Sequence, residues 1–179
     1  MSMSPKVACL LTAIITTTVP NLAVADVFPE GHFQLTTQFR EGNNECLIAN
    51  ANGTTASMME CKNFTGQWWK ATPIGDGYFK LTTQASESKK QCLESNLKAG
   101  DALHKNGAAY MYACENVTGQ AWKAIPIGDG YFKLTSKFRE NENECLEGNQ
   151  KAGSKNSGAS YMDSCQDVSG QAWKVKPKK

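Results

Sequence analysis

The sequence predicts an all-β protein in which three copies of one four-stranded unit close a shared barrel. Three observations carry this. The stretch Pro73-Ile74-Gly75-Asp76-Gly77-Tyr78-Phe79-Lys80-Leu81 returns unchanged as Pro126-Ile127-Gly128-Asp129-Gly130-Tyr131-Phe132-Lys133-Leu134, and a worn copy, Gly31-His32-Phe33-Gln34-Leu35, stands earlier. A Gly-Gln-x-Trp cluster recurs three times: Gly66-Gln67-Trp68-Trp69, Gly119-Gln120-Ala121-Trp122 and Gly170-Gln171-Ala172-Trp173. Cysteines recur in phase, two per unit. A fixed period of this kind marks a repeat architecture. No single unit can bury its Phe, Leu, Met and Trp, whereas three together can close one core.

Within a unit the elements follow in order. Gly-Asp-Gly signals a tight turn, because Gly and Asp tolerate positive φ. Tyr-Phe-Lys-Leu then alternates with the period of a half-buried strand. The next strand holds the first cysteine, in Glu45-Cys46-Leu47, Gln91-Cys92-Leu93 and Glu144-Cys145-Leu146. A Gly/Asn/Lys/Ser-rich loop follows. A third strand leads to the second cysteine, with Met58, Met111 and Met162 each three residues before it and placed in the core by alternation. Gly-Gln-x-Trp-Lys-Ala is read as the fourth strand. Four strands in three units give twelve, with no amphipathic helix, which is the pattern of a barrel or sandwich. The units run over about residues 29–74, 75–127 and 128–179; the first is short, and its deletion lies between its cysteines.

Residues 1–25 read as a secretory signal. Lys6 is followed by the apolar run Val7 to Val19 and the small-x-small site Ala23-Val24-Ala25. The run is too short and too rich in threonine to span a bilayer. The remaining residues 26–179 have the size of one domain. Without Lys6 the 19 basic residues become 18, against 17 acidic ones, which argues against binding to a nucleic-acid backbone. The expected location is extracellular, or periplasmic in a Gram-negative source. Lys174, Lys176, Lys178 and Lys179 are read first as a solvated tail, with contact to an anionic surface as the alternative.

Once Cys9 leaves with the signal, six cysteines remain, an even number in an exported chain. Units that fold alike each pair their own two, giving Cys46–Cys61, Cys92–Cys114 and Cys145–Cys165. Each bridge contributes on the order of 3 kcal/mol through the unfolded state. A metal site is not expected, since the cysteines lack ligand spacing and His32 and His104 are the two histidines. No cofactor is implied either. Asp76 and Asp129 read as turn formers rather than calcium ligands.

Three Gln-x-Trp motifs in phase with three cysteine pairs resemble the ricin-B-type (R-type) lectins, over residues 31–175. The resemblance implies a β-trefoil of twelve strands. It also implies that Trp69, Trp122 and Trp173 are core and that Gln67, Gln120 and Gln171 are structural first and sugar-contacting second. A galactose site of that family has an acid two residues after the first cysteine, an aromatic platform two before the second, and an Asn just before Gln-x-Trp. The carboxylate accepts sugar hydroxyls, and the aromatic face stacks on the apolar face of the ring.

In the first unit these positions are Ile48 and Met59, which can do neither. In the second they are Glu94 and Tyr112, with Tyr112 facing outward if Met111 faces in. In the third they are Glu147 and Asp163, with Tyr161 on the same side as a substitute platform. Gly66, Gly119 and Gly170 stand where the Asn would be. The bland readings are that Tyr112 is an ordinary exposed aromatic, that Glu94 and Glu147 are solvated loop charges, and that Lys70, Lys123 and Lys174 are solvated strand-edge cations.

The expected function is that of a secreted carbohydrate-binding protein for glycans or glycoconjugates, with its best site in the second unit. The alternative is a non-catalytic interaction or targeting subunit of a toxin or secreted complex, docking a toxin or enzyme partner, with eroded sugar sites. An enzyme is not expected: no Ser/His/Asp set lies in phase, and Glu142 and Glu144 read as part of a polar turn. Asn52, Asn63 and Asn116 head N-glycosylation sequons that matter in a eukaryotic host.

Overall fold

In the computed structural model, residues 27–50, 55–95, 107–148 and 158–177 are described. The signal segment, Asn52, His104, Lys178 and Lys179 lie outside them. The repeated Gly-Asp-Gly triplets form two-residue turns. Asp76 and Gly77 take φ of 52° and 77°, and Asp129 and Gly130 take 53° and 76°. Both central residues at positive φ is the backbone of the hairpin turn that matches strand twist. Gly75 and Gly128, at φ of 98° and 97°, absorb the bulge just before each turn.

Twelve strands follow in the expected order. The first unit holds β1 (Phe33–Thr37), β2 (Glu45–Ile48), β3 (Ser57–Glu60) and β4 (Trp69–Gly75). The second holds β5 (Tyr78–Thr83), β6 (Gln91–Glu94), β7 (Tyr110–Ala113) and β8 (Trp122–Gly128). The third holds β9 (Tyr131–Ser136), β10 (Glu144–Glu147), β11 (Tyr161–Ser164) and β12 (Trp173–Pro177). The outer strands of each unit close a six-stranded barrel in the order β1-β12-β9-β8-β5-β4, and the inner strands pair as hairpins β2-β3, β6-β7 and β10-β11. A closed barrel leaves no free sheet edge. This is the β-trefoil arrangement.

Two local expectations differ. Gly66-Gln67 and Gly119-Gln120 lie in 3₁₀ turns, and the fourth strand begins at the Trp. Single α turns, α1 (Gln38–Glu41), α2 (Gln84–Glu87) and α3 (Lys137–Glu140), also connect the first and second strand of each unit. Four residues carry no helical periodicity, so sequence pattern does not reveal such turns. No helix among the described residues is long and apolar enough to cross a membrane.

The core repeats three times. Phe33, Phe79 and Phe132, the three Leu of the same strands, Leu47, Leu93 and Leu146, the three Met and the three Trp form one buried cluster. Each Trp stands opposite the Phe of its own unit across a strand seam, as Trp69↔Phe33, Trp122↔Phe79 and Trp173↔Phe132. Each indole N–H also donates to the carbonyl after the first cysteine strand's Cys, at Leu47, Leu93 and Leu146, at 2.7–2.8 Å. A buried donor is thereby satisfied. Phe28, which no repeat predicts, lies within 4.7–5.3 Å (ring centroids) of Phe33, Phe79 and Phe132 at once, so its ring sits on the pseudo-three-fold axis.

Around the same axis, the hairpins are tied by a cycle of three backbone hydrogen bonds. Ala56 N–H donates to Ala109, Ala109 N–H to Ser160, and Ser160 N–H back to Ala56, at 2.8–2.9 Å. The bridges Cys46–Cys61, Cys92–Cys114 and Cys145–Cys165 fasten each hairpin to its own unit.

The lysines after each Trp are not merely solvated. Lys70 meets Glu87, Lys123 meets Glu140 and Lys174 meets Glu41, at 3.7, 2.6 and 3.2 Å. Each glutamate belongs to the next unit's α turn and receives a second donor or partner from the residue before the core Phe: His32 at Glu87, Tyr78 at Glu140 and Tyr131 at Glu41. The Tyr78 phenol is pushed up to about 12, first by its hydrogen bond to Glu140, so it stays a donor at neutral pH. Lys174 and Lys176 belong to β12 and not to a solvated tail.

Candidate functional site

The outer face of the β6-β7 hairpin holds the second unit's candidates. Leu93 and Met111 face the core, so the neighbouring positions on each strand face outward. Register places Cys92 opposite Tyr112 and Glu94 opposite Tyr110. Tyr112 is 50% exposed, as alternation with Met111 requires. Its ring and that of Tyr110 stand 6.2 Å apart at 66°, edge to face.

Glu94 is not a solvated loop charge. It ends β6, is 5% exposed, and accepts from Gln120 and Tyr110. Gln120 Nε2 donates to Oε2 at 2.8 Å and the Tyr110 hydroxyl to Oε1 at 3.3 Å. These two donors fix the orientation of the carboxylate.

Gln120 also bonds to the backbone on both sides of Cys114. Its Oε1 accepts from Glu115 N at 2.8 Å and its Nε2 donates to Ala113 O at 2.7 Å, stapling the stretch around Cys114. Gln67 and Gln171 repeat this pattern on Lys62 N and Glu60 O, and on Gln166 N and Ser164 O.

Gly119 explains itself by contact. A Cβ there would lie 3.2 Å from Ser95 O and 3.4 Å from Glu94 Cγ. At Gly66 a Cβ would come within 2.6 Å of Asn50 Oδ1 and 2.9 Å of Ala49 O. The site is therefore built with the glycine backbone pressed against the acid strand, where a longer residue would need the chain to withdraw.

The other units bring together less. In the third, Gln171 Nε2 donates to Glu147 Oε2 at 3.1 Å, and Glu147 is buried rather than solvated. Asp163 stands opposite Cys145 and its Oδ1 takes the Ser164 N–H at 2.7 Å. Tyr161, opposite Glu147, is only 7% exposed and has too little open ring to act as a stacking platform. In the first unit, Ile48 is buried and offers no acceptor, while Met59 is exposed without an aromatic face. Glu144 lies on β10, paired with buried Arg139 at 2.8 Å, rather than in a polar turn with Glu142.

Sequence reasoning missed Tyr110 as a partner of Glu94. The available signal was its place two residues before Tyr112, on the same face of one strand. It also missed the first unit's Trp68, whose indole N–H donates to Asn63 Oδ1 at 2.7 Å. There the signal was a Trp where the sister units carry Ala121 and Ala172.

No protein-family model matches the chain, and no curated protein does. Solved structures do match. ThreeFoil, a designed three-fold symmetric protein, superposes with a TM-score of 0.65 at 18% identity over 83% of this chain and 100% of its own. SeviL, solved bound to the asialo-GM1 saccharide, gives 0.56 at 12% over 83% and 98%. A mosquitocidal holotoxin gives 0.64 at 14% over 85% of this chain. This chain spans only 18% of that toxin, so the likeness is to one part of a larger protein. These likenesses define the class: a β-trefoil, of the fold used by the saccharide-bound SeviL.

Proposed function

We propose that the protein is a non-catalytic carbohydrate-binding module, secreted, whose site is the outer face of the second unit's hairpin. One observation carries this reading most. A carboxylate, Glu94, is held in place by Gln120 and Tyr110 beside an exposed aromatic ring, Tyr112. A pyranose presents hydroxyls on its rim and C–H groups on its face, and this pair matches both. SeviL's complex with the asialo-GM1 saccharide supports the reading by analogy of fold. The site is shallow, so affinity per site is low and multivalent display raises it.

The expected result is glycan binding by the oxidised protein on a dense glycan array, lost in both Tyr112→Ala and Glu94→Gln. The first variant removes the exposed platform, and the second removes the charge while keeping the size of the buried side chain. Binding that survives both substitutions would move the site elsewhere. A dense array with no signal for the parent protein would favour the second reading, a targeting subunit of a toxin or secreted complex, which the likeness to part of a holotoxin supports.

A further inference from the structure

We propose that the seam between the first unit and β12 of the third carries a second, separate binding groove for an acidic sugar, one bearing a carboxylate or a sulfate. The groove encloses about 450 Å³ and is lined by Gln34, Asn44, Asn63, Trp68, Lys176 and Pro177, beside Cys61. Its volume lies within the range of small-molecule sites. It does not involve Ile48 or Met59, the positions that correspond to Glu94 and Tyr112.

Three features give the groove its chemistry. The first is Lys176. Its Nζ is held by neutral groups, Asn44 Oδ1 at 3.0 Å and Cys61 Sγ at 3.5 Å, and it forms no ion pair among the described residues. Lys62, Lys70, Lys123, Lys133 and Lys174 each meet a carboxylate. The cation in the groove is thus oriented by neutral atoms with no carboxylate at ion-pair distance, its charge acting on Glu41 from further off, and an anionic group is its natural complement.

The second is a set of amides. The Gln34 side chain donates to Lys62 O at 2.9 Å, and Asn63 Oδ1 holds the Trp68 indole. Fixed amides present donors and acceptors matched to sugar hydroxyls. The third is Trp68 itself. It is 9% exposed, and what it exposes lines this groove. Trp69, Trp122 and Trp173 are fully buried. The sister units place alanine at the position of Trp68, so the fold does not require an indole there. By strand register the other two seams have Thr72 and Ile125 at the place of Lys176, facing Lys80 and Lys133 at the place of Gln34. The indole is an addition to the first unit, and this seam takes its cation from β12, whereas the sister seams carry Lys80, held by Glu115 O, and Lys133, paired with Asp167, on the strand equivalent to that of Gln34.

The test uses isotope-labelled, oxidised protein and NMR of the Trp68 indole N–H and the Asn63 and Gln34 side-chain amides. Glucuronate and glucose 6-sulfate are the probes; glucose and acetate are controls. Both probes are expected to shift these signals saturably, at least about tenfold more tightly than either control, because one charge-assisted contact and the sugar frame act together. A response to one probe alone identifies whether the groove reads carboxylate or sulfate, and still supports it. Lys176→Gln should weaken the response about tenfold and remove its salt dependence. Trp68→Ala should fold and abolish binding at Asn63 and Gln34, whereas Tyr112→Ala should leave it unchanged. Glucose or acetate binding as tightly as glucuronate, an unchanged response in Lys176→Gln, shifts confined to the hairpin around Tyr112, or no shift at tens of millimolar ligand would each overturn the proposal.

Discussion

Trp122→Ala is expected to lower the free energy of unfolding by about 3–5 kcal/mol, the range for a large aromatic truncated in a close-packed core. The indole is fully buried, faces Phe79 across the seam between β5 and β8, and satisfies the Leu93 carbonyl. Removing it opens a void against two seams at once, because Trp122 also stands opposite Ser136 on β9. The carbonyl loses its donor as well, which adds to the cavity cost. Equilibrium urea unfolding of the oxidised protein measures this. A loss under about 1 kcal/mol would mean that the three tryptophans do not share the core as described.

Arg139→Ser should cost about 3 kcal/mol, the lower end for breaking a buried ion pair. Arg139 is buried under its α turn and holds Glu144, which is 8% exposed, at 2.8 Å, and the more exposed Glu142 at 2.7 Å. Burial pushes the Glu144 carboxyl above its usual range; Arg139 opposes this, and Glu142 and Asp163 add to it. The sign follows from linkage. A raised carboxyl binds its proton more tightly in the folded protein than in the unfolded chain, so its ionisation costs stability above the folded value. Without Arg139 the cost grows, so the deficit of the variant should be largest near pH 7 and shrink as pH falls through the raised folded value of Glu144 toward the ordinary carboxylate range.

The second unit already contains the neutral alternative. Ser86 and Gln91 occupy the places of Arg139 and Glu144, and Ser86 Oγ donates to Thr83 O and Gln91 O at 3.0 Å. Arg139→Ser with Glu144→Gln copies that solution. The double variant should recover more than half of the loss, a coupling that a double-mutant cycle reads directly. Additive losses would mean that Arg139 acts through packing alone.

The fold was legible because its signals are local and said three times. Asp76 and Asp129 form the turns their Gly-Asp-Gly context implies, and Met58, Met111 and Met162 are buried as alternation requires. What escaped depends on partners far along the chain. Lys70 looks solvated until Glu87 of the next unit is brought to it. Phe28 belongs to no repeat, so nothing local marks it as the residue on the axis. At the site, period two was enough to turn Tyr112 outward. It could not show that Glu94 is buried, since that depends on Gln120 arriving from a turn 26 residues later. The first unit's Trp68 breaks the repeat, and it is such departures, rather than the shared pattern, that mark where the units differ in chemistry.

The contacts between units run in a ring. Lys70 reaches forward to Glu87, Lys123 to Glu140 and Lys174 back to Glu41, while Ala56, Ala109 and Ser160 pass hydrogen bonds round the axis. Phe33 and Pro177 lie opposite each other, so the first and last strands of the barrel adjoin. In such a ring no unit is structurally first. A circular permutant that joins the present ends by a short linker and opens the polar stretch 96–106 keeps every one of these contacts. It should therefore reach the same native state, with chain order serving as a property of synthesis rather than of architecture.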